Sequence, residues 1–126
     1  MAQGYTQKYG VDYDEVFAPV IKQTTIRLLL TIASYEDLIV KHYDVKTAFL
    51  NGELTEEIYM RQPEGFIEIG NENMVCKLNK SIYGLKQSAR VWNLTLDKYL
   101  LEMGFNKGEA DACFYYRKGI DPVICR

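Results

Sequence analysis

The sequence predicts an α+β fold, a small sheet with packed helices, and three observations lead to this prediction. Amphipathic stretches with helical spacing alternate along the chain with short runs rich in β-branched and aromatic residues. Turn signals built from Gly, Pro and Asn separate these segments at distances that suit hairpins. The 126 residues are 48% hydrophobic and 13% aromatic, which is sufficient for one buried core and excludes a disordered chain.

The first helix follows an irregular stretch of about 23 residues, which glycines and a proline interrupt. Thr24 or Thr25 is placed to cap this helix, and the amphipathic pattern ends near Tyr35. The apolar residues then fall at spacings of three and four, on one face: Ile26, Leu29, Leu30 and Ala33.

Three strands are predicted in the middle of the chain. The first is the apolar and aromatic run Leu38–Val45, and the turn pair Asn51-Gly52 comes after it. A partner strand is predicted at Ile58–Met60, with a loop at Gln62–Gly65. Val75–Leu78 is predicted to be the third strand.

A second helix is predicted to begin at Ser88 and to end at Gly104, a residue suited to a helix C-terminus. One apolar face of this helix is predicted to lie in the core: Trp92, Leu96, Tyr99 and Met103. A strand at Phe114–Arg117, a turn at Gly119–Pro122 and a strand beginning at Val123 complete the prediction.

Charge and hydropathy exclude some classes of function. No apolar run approaches the roughly 20 residues of a membrane span, and we expect no signal peptide from the polar N-terminus. The formal net charge of −2 argues weakly against nucleic-acid binding. The basic residues Lys77, Lys80, Lys86 and Arg90 nevertheless follow one another with no acid between them. A solvated face is the default interpretation of such a run, and a set of phosphate contacts is the alternative.

The three cysteines, Cys76, Cys113 and Cys125, are far apart and form no Cys-x-x-Cys pair, and His42 is the only histidine. A zinc site needs about four clustered ligands, so we expect three reduced thiols and a structural histidine instead.

Asp44 is the carboxylate of greatest interest, because it lies at the end of a predicted apolar strand. A carboxylate in that place suits a hard cation such as Mg²⁺, although the default interpretation of the spacing alone is a strand-end or turn-capping acid. Lys46, Lys80, Lys86 and Arg90 are candidate phosphate contacts, and Gly84 would permit a close approach of backbone or base pair. No P-loop, Gly-x-Gly-x-x-Gly or Gly-x-Ser-x-Gly motif occurs, so these features alone name no function.

Several sequence motifs, taken in their order along the chain, resemble those of one known family. They are Gly4–Gln7, Asp14–Val20, Thr24–Arg27, Asp44–Gly52, Ile58–Met60, Gln62–Phe66, Lys80–Gln87 and Arg90–Trp92. In this order they resemble the reverse transcriptase of copia-type LTR retrotransposons, essentially from end to end. The resemblance implies a partial right-hand polymerase fold, with an incomplete palm sheet, packed helices and part of the fingers. It implies RNA-directed and DNA-directed DNA synthesis with Mg²⁺, in which one metal activates the primer 3′-hydroxyl and another stabilises the leaving pyrophosphate.

The resemblance also implies roles for single residues. Asp44 matches the first catalytic aspartate, which would bind both metals, and Val45 would offer its backbone carbonyl to one of them. Phe49, with Ala48 and Val45, would bind the nucleotide, because a ring under the sugar leaves no room for a 2′-hydroxyl. The residues implied to contact template and primer are Tyr83, Gly84, Lys86 and Arg90.

Departures from the family pattern predict that the chain alone is inactive. The family's other catalytic carboxylates lie in a Tyr-x-Asp-Asp hairpin that we expect beyond Arg126, and its basic fingers strand is expected before Ala2. Ala89 stands where the family usually has proline. We therefore expect residues 1–126 to be a partial reverse transcriptase domain of a Pol polyprotein. Its expected partners are a template-primer and deoxynucleotides in a cytoplasmic virus-like particle, with no membrane.

Two alternatives remain open from the sequence. The chain could be a remnant that binds RNA or a protein without catalysis, through the stretch Lys77–Arg90. It could also be active in an assembly where another chain supplies the hairpin. Salt-dependent RNA binding would favour the first alternative.

Overall fold

The computed structural model describes residues 1–124, with side chains through Gly119, and it is α+β as predicted. The helices and strands of this part are α1 (Gln23–Tyr35), β1 (Glu53–Arg61), β2 (Val75–Lys80), α2 (Ser88–Glu102), β3 (Asn106–Lys107), β4 (Phe114–Arg117) and β5 (Ile120–Ile124). The chain forms two compact units. Unit 1 comprises Met1–Phe17 and Thr47–Trp92, and unit 2 comprises Ala18–Lys46 and the chain from Asn93 onwards.

Unit 1 is built on the antiparallel hairpin of β1 and β2, which confirms the two strands predicted there. Ile58 pairs with Leu78 and Arg61 with Val75, and an irregularity in the register lies between Glu53 and Ile58. Exposed and less exposed residues alternate along β1, as the period of two of a strand requires. The buried face of the hairpin packs in a small core: Ala2, Ile58 and Leu85, with Leu54, Leu78 and Ile82 around them.

The turns on either side of β1 differ in how well they were predicted. Asn51 is the last residue of a 3-10 turn, Ala48–Asn51, and Gly52 has a φ of −90°. The pair is therefore a turn but not the two-residue hairpin turn, which needs positive φ. After β1, the Phe66 amide donates to the Pro63 carbonyl at 2.9 Å, and Gly65 has a φ of +81°, so the predicted loop is present.

The predicted strand at Leu38–Val45 is wrong. These residues are irregular, and the hydrophobic side chains of Ile39, Val40 and Tyr43 are exposed. A β-branched sequence favours a strand only when a neighbour completes its ladder. The described ladders of unit 2 join β3, β4 and β5, and none includes this segment.

Helix α1 begins at Gln23, before either threonine that was predicted to cap it, and Lys22 in the cap position makes no side-chain capping bond. A carboxylate from a distant loop takes that place. Asp111 accepts a hydrogen bond from the Lys22 amide at 2.9 Å and one from the Thr25 hydroxyl at 2.7 Å. The Cys113 amide donates to its other oxygen at 2.9 Å. Asp111 therefore satisfies the start of α1 across some 86 residues of sequence.

The apolar face of α1 was predicted only in part. Ile26, Leu29 and Ala33 are partly buried, but Leu30 is 49% exposed and no residue of the helix is fully buried. Amphipathic spacing gives the direction of the stripe, whereas its burial depends on what packs against it.

Removing the Asp111 carboxylate is expected to destabilise unit 2. Asp111→Ala leaves the Lys22 and Cys113 amides without their acceptor and is expected to cost about 1–3 kcal/mol. The hydrogen bond from Thr25 lowers the pKa of Asp111, with further lowering by the two backbone amides against the raising effect of burial. A lowered pKa stabilises the fold above about pH 3.9, and this contribution is lost as the pH falls below it.

Helix content followed at 222 nm against urea and pH measures this effect, with Glu109→Ala as control. Glu109 is an exposed acid two residues away in the same loop. Equal losses for the two variants would contradict the capping role of Asp111.

Helix α2 confirms the predicted start and end. Gly104 has a φ of +82°, and the Phe105 amide donates to the Leu100 carbonyl at 3.0 Å, which closes the helix. The predicted core face is wrong for Tyr99 and Met103, which are 59% and 58% exposed.

The core of unit 2 contains Leu100, Phe105 and Tyr115, with Leu96 packed against them. Leu96 and Leu100 are four residues apart, so the buried stripe on α2 is rotated from the predicted one toward the side that Phe105 and Tyr115 cover. Apolar residues surround the helix on several sides, so spacing alone did not select the stripe.

Strands β3, β4 and β5 form an antiparallel sheet in that order. The strand predicted at Phe114–Arg117 is confirmed as β4. The predicted turn at Gly119–Pro122 is too long, because β5 already begins at Ile120 and the turn is Lys118-Gly119, with a φ of +79° at Gly119.

Cys76 is partly buried and Cys113 is buried, and both are free thiols. Burial raises the pKa of the Cys113 thiol. The prediction for Cys125 lies outside the described residues. In residues 1–124, neither helix has the length and apolarity needed to span a membrane.

Candidate nucleic-acid interface

The residues predicted to form the site fall in both units. Asp44 and Val45 lie in unit 2, in the irregular segment after α1, and both are exposed. The other six predicted site residues lie in unit 1: Ala48, Phe49, Tyr83, Gly84, Lys86 and Arg90. The geometry of the interface is therefore that of unit 1.

The magnesium site that the resemblance implies requires several carboxylate ligands close together. Two bridged metal ions need at least two or three carboxylates around them, and a single Mg²⁺ in a protein still takes one or two with substrate phosphates. Among the described residues, no group of three or more His, Cys, Asp or Glu side chains is placed to hold a metal ion. These residues thus offer the Asp44 carboxylate but do not assemble a two-metal site.

Phe49 is held in the 3-10 turn Ala48–Asn51, which begins from an unusual backbone conformation. Thr47, directly before it, has a φ of +53° and a ψ of 38°. A β-branched residue in the left-handed region costs roughly 1–2 kcal/mol. The Thr47 carbonyl accepts a hydrogen bond from the Leu50 amide at 2.9 Å, which fixes the turn. This conformation could not be predicted from the sequence, since nothing in Lys-Thr-Ala signals positive φ.

The Phe49 ring stacks on the Tyr83 ring. Their centroids are 5.9 Å apart with 22° between the planes. Phe49 is partly buried, whereas Tyr83 is 66% exposed. An implied nucleotide contact and an implied template contact, 34 positions apart in sequence, are thus in direct contact.

The 81–87 loop (Ser81–Gln87) carries Tyr83, and it is tied to the turn that carries Phe49. The Ser81 amide donates to the Gly52 carbonyl at 2.8 Å. Ser88, the first residue of α2, closes the loop: its hydroxyl accepts a hydrogen bond from the Ser81 hydroxyl at 2.7 Å and donates to the Ile82 carbonyl at 2.6 Å. Ser81 and Ser88 are buried, so their hydroxyls satisfy one another away from water.

Lys86 and Arg90 are held by the segment before α1. The Lys86 ammonium donates to the Gln7 carbonyl at 3.1 Å and lies 4.9 Å from the centre of the Tyr13 ring. Arg90 forms an ion pair with Glu15 at 2.5 Å and donates to the Phe17 carbonyl at 3.2 Å. Intramolecular contacts therefore orient both cations, and the Lys86 side chain remains exposed.

The basic stretch Lys77–Arg90 also carries less uncompensated positive charge in the folded structure than its sequence suggests. Lys77 pairs with Glu57 across the hairpin at 2.5 Å. The hydrogen bond between the two raises the pKa of Lys77 and, with a second bond from Tyr59, lowers that of Glu57. Glu57 on β1 pairs with Lys77, and Glu15 pairs with Arg90. Two of the four basic residues in the stretch Lys77–Arg90 are therefore neutralised by acids.

The chain matches one family model and several known proteins over most of its length. Residues 1–125 match the family model described as "Reverse transcriptase (RNA-dependent DNA polymerase)". The chain is 50% identical over 118 residues to the "Retrovirus-related Pol polyprotein from transposon TNT 1-94" of Nicotiana tabacum, a match that covers 94% of the chain and 9% of that relative. It is 46% identical over 115 residues to the corresponding polyprotein from transposon RE1 of Arabidopsis thaliana, covering 91% and 8%.

A yeast relative is more distant. The chain is 26% identical over 127 aligned positions to the "Transposon Ty1-H Gag-Pol polyprotein" of Saccharomyces cerevisiae, covering 96% of the chain and 7% of the relative. The chain thus spans less than a tenth of the length of each of these relatives. No solved structure matches it.

Proposed function

The chain belongs to the reverse transcriptase (RNA-dependent DNA polymerase) family, and on this basis we propose that it supplies the nucleotide-facing and template-facing part of a retrotransposon polymerase. The reaction proposed for the whole protein is template-directed DNA synthesis from RNA or DNA with Mg²⁺. The proposal places the chain in the palm and fingers of a right-hand polymerase fold, within a Pol polyprotein and a cytoplasmic virus-like particle.

The stacked pair Phe49–Tyr83 is the observation that carries this proposal. Single-stranded nucleic acids bind to protein surfaces through stacking of bases on aromatic side chains. Tyr83, two-thirds exposed, offers its ring to the template base or the nascent base pair. Phe49, packed beside it and fixed by its turn, takes the place of the ring that leaves no room for a 2′-hydroxyl.

Asp44 is proposed as the first catalytic carboxylate of the complete enzyme, with the carbonyl of Val45 beside it. The 126 residues contain no Tyr-x-Asp-Asp motif, and the described part gathers no set of three metal-binding side chains. We therefore propose that the chain by itself binds a template-primer without extending it, since nucleotidyl transfer needs carboxylates that bridge two ions.

Primer extension and binding together test this proposal. With an RNA template, DNA primer, deoxynucleotide and Mg²⁺ or Mn²⁺, the chain is expected to extend no more primer than Asp44→Asn does. Tyr83→Ala is expected to weaken template-primer binding roughly tenfold, because base stacking on an aromatic contributes about 1–3 kcal/mol per base. Fluorescence anisotropy of a labelled template-primer over a salt series measures the affinity.

The matched control is Tyr59→Ala, since Tyr59 is also exposed in unit 1 but lies on β1, where it donates to Glu57 at 2.8 Å. Its removal is expected to leave binding unchanged. Equal losses for Tyr59→Ala and Tyr83→Ala would contradict the site, and extension that Asp44→Asn abolishes would contradict the inactivity of the isolated chain.

A further inference from the structure

We propose that Gln7 and Gln87 are positioning residues, which hold the 81–87 loop on the N-terminal strap (Met1–Tyr13) and thereby aim Tyr83 and Lys86 at the nucleic acid. This inference rests on the proposed function, because it presumes that the loop contacts a template. The family resemblance implies no role in catalysis or binding for either glutamine.

The strap and the loop first meet through their backbones. The Ala2 amide donates to the Tyr83 carbonyl at 2.9 Å, and Ala2 packs in the same core as Leu85. A Cβ added to Gly4 would overlap the Gly84 carbonyl oxygen, and one added to Gly84 would overlap the Ala2 carbonyl oxygen. The strap and the loop therefore approach each other as closely as glycine alone allows.

The two glutamine side chains then join strap to loop through a continuous chain of amides. The Gln7 oxygen Oε1 accepts the Lys86 backbone amide at 2.8 Å, and its nitrogen Nε2 donates to Gln87 Oε1 at 3.0 Å. Gln87 Nε2 donates in turn to the Asp12 carbonyl at 2.9 Å. Each side chain thus uses both its donor and its acceptor in contacts between the strap and the loop.

Burial makes this bridge costly to break. Gln87 is completely buried, with 0% exposure, so loss of its partner amide leaves polar atoms that water cannot reach. Gln87 directly precedes α2, and its carbonyl accepts the Val91 amide at 2.9 Å. The same residue therefore joins the strap, the loop and the first turn of the helix.

The bridge acts on the residues that face the nucleic acid. Lys86 is held by Gln7 at two points, through its backbone amide and through its ammonium, which fixes the direction of its side chain. The carbonyl of Tyr83 is held by Ala2. A free loop would carry the same aromatic ring and the same charge but would have to be ordered on binding, which lowers affinity.

The test removes the hydrogen bonds while keeping the volume. Gln87→Leu keeps the buried side chain near its size. Gln7→Ala is the second variant, for use if Gln87→Leu folds poorly, because Gln7 is partly exposed and its truncation opens no fully buried site. Gln62→Ala is the matched control. Gln62 also lies in unit 1 and makes three side-chain hydrogen bonds, to Asn71, Met74 and Glu68, within another loop.

Two readouts are measured on the folded 126-residue chain. Backbone hydrogen exchange reports the amides of Ala2 and Lys86, and template-primer titration reports affinity. In Gln87→Leu and Gln7→Ala, exchange at both amides is expected to rise at least about tenfold with the β1–β2 ladder unchanged, and affinity to fall roughly tenfold. The double variant is expected to be no worse than the poorer single one, because both remove the same bridge. Gln62→Ala is expected to change neither readout.

Three results would overturn the proposal. Unchanged exchange at Ala2 and Lys86 would show that the glutamines do not hold the loop. Faster exchange with unchanged affinity, while Tyr83→Ala still weakens binding, would show that the bridge is structural only and would leave the proposed function standing. Absence of template-primer binding by the unmodified chain would overturn the proposed function itself, and with it the positioning role.

Discussion

Replacing Gly84 with alanine is expected to lower the stability of unit 1 by roughly 2–4 kcal/mol, a large share of the 5–15 kcal/mol typical of a domain. Gly84 has a φ of +105°, which alanine adopts only with strain. The added Cβ would also overlap the carbonyl oxygen of Ala2, which belongs to the backbone and cannot rotate away. The strap must therefore move, and Tyr83 loses the hydrogen bond from Ala2.

Two variants separate the strain from the overlap. Gly65→Ala places alanine at a φ of +81° in open space, so it is expected to cost only about 1 kcal/mol. Gly4→Ala creates the overlap with Gly84 without the positive φ. Because either overlap displaces the same strap, Gly4→Ala and Gly84→Ala are expected to be less than additive.

Urea unfolding followed by the fluorescence of Trp92, the only tryptophan, measures these changes in unit 1. Equal losses for Gly84→Ala and Gly65→Ala would contradict the close approach of strap and loop. Full additivity of the two overlap variants would contradict their shared cause.

Replacing Tyr115 with alanine is expected to cost unit 2 about 3–5 kcal/mol, the range for deleting a large aromatic from a core. Tyr115 is 1% exposed and packs with Leu100 and Phe105. Its hydroxyl donates to Asp97 at 2.6 Å, and the ammonium of Lys107 binds the same carboxylate oxygen at 2.7 Å. The variant therefore removes both a packed ring and one partner of a partly buried carboxylate.

Tyr115→Phe divides these contributions and adds a pH dependence. Removing only the hydroxyl is expected to cost about 1–2 kcal/mol. Burial acts to raise the pKa of Asp97, but the hydrogen bonds from Lys107 and Tyr115 and the charge of Lys107 outweigh it and lower the pKa. The resulting stabilisation is present above about pH 3.9 and is lost as the pH falls further. Without the hydroxyl this pKa is less depressed, so acidification is expected to destabilise Tyr115→Phe by less than the unmodified chain.

The control is Tyr99→Ala, since Tyr99 lies on α2 with 59% exposure and is expected to change stability by no more than about 0.5 kcal/mol. Exchange protection of the amides of β4 measures the stability of unit 2 in each variant. A loss of stability for Tyr99→Ala as large as that for Tyr115→Ala would contradict the observed core, because it would mean that the face of α2 carrying Tyr99 is buried.

Local signals predicted much of the architecture. Short runs rich in β-branched and aromatic residues located strands β1 and β2, although not their pairing, and Ser88 and Gly104 marked the ends of α2. Such features depend on backbone preferences within a few residues, so they can be recognised without the rest of the molecule. The family resemblance likewise came from the order of short sequence motifs, and the comparisons with known proteins confirm it. The roles it implies for Asp44 and Phe49 stay predictions.

Local sequence patterns and the order of the family motifs were therefore enough to predict the α+β class, the family and the positions of most helices and strands. The tertiary structure alone decided that Asp111 caps α1, that Leu100 rather than Tyr99 is buried, and that Leu38–Val45 forms no strand. It also decided that Gln7 and Gln87 bridge the strap and the loop. Each of these depends on groups from different parts of the chain that meet only after folding. Propensity and spacing describe one segment at a time, whereas hydrogen-bond satisfaction and burial are settled between segments.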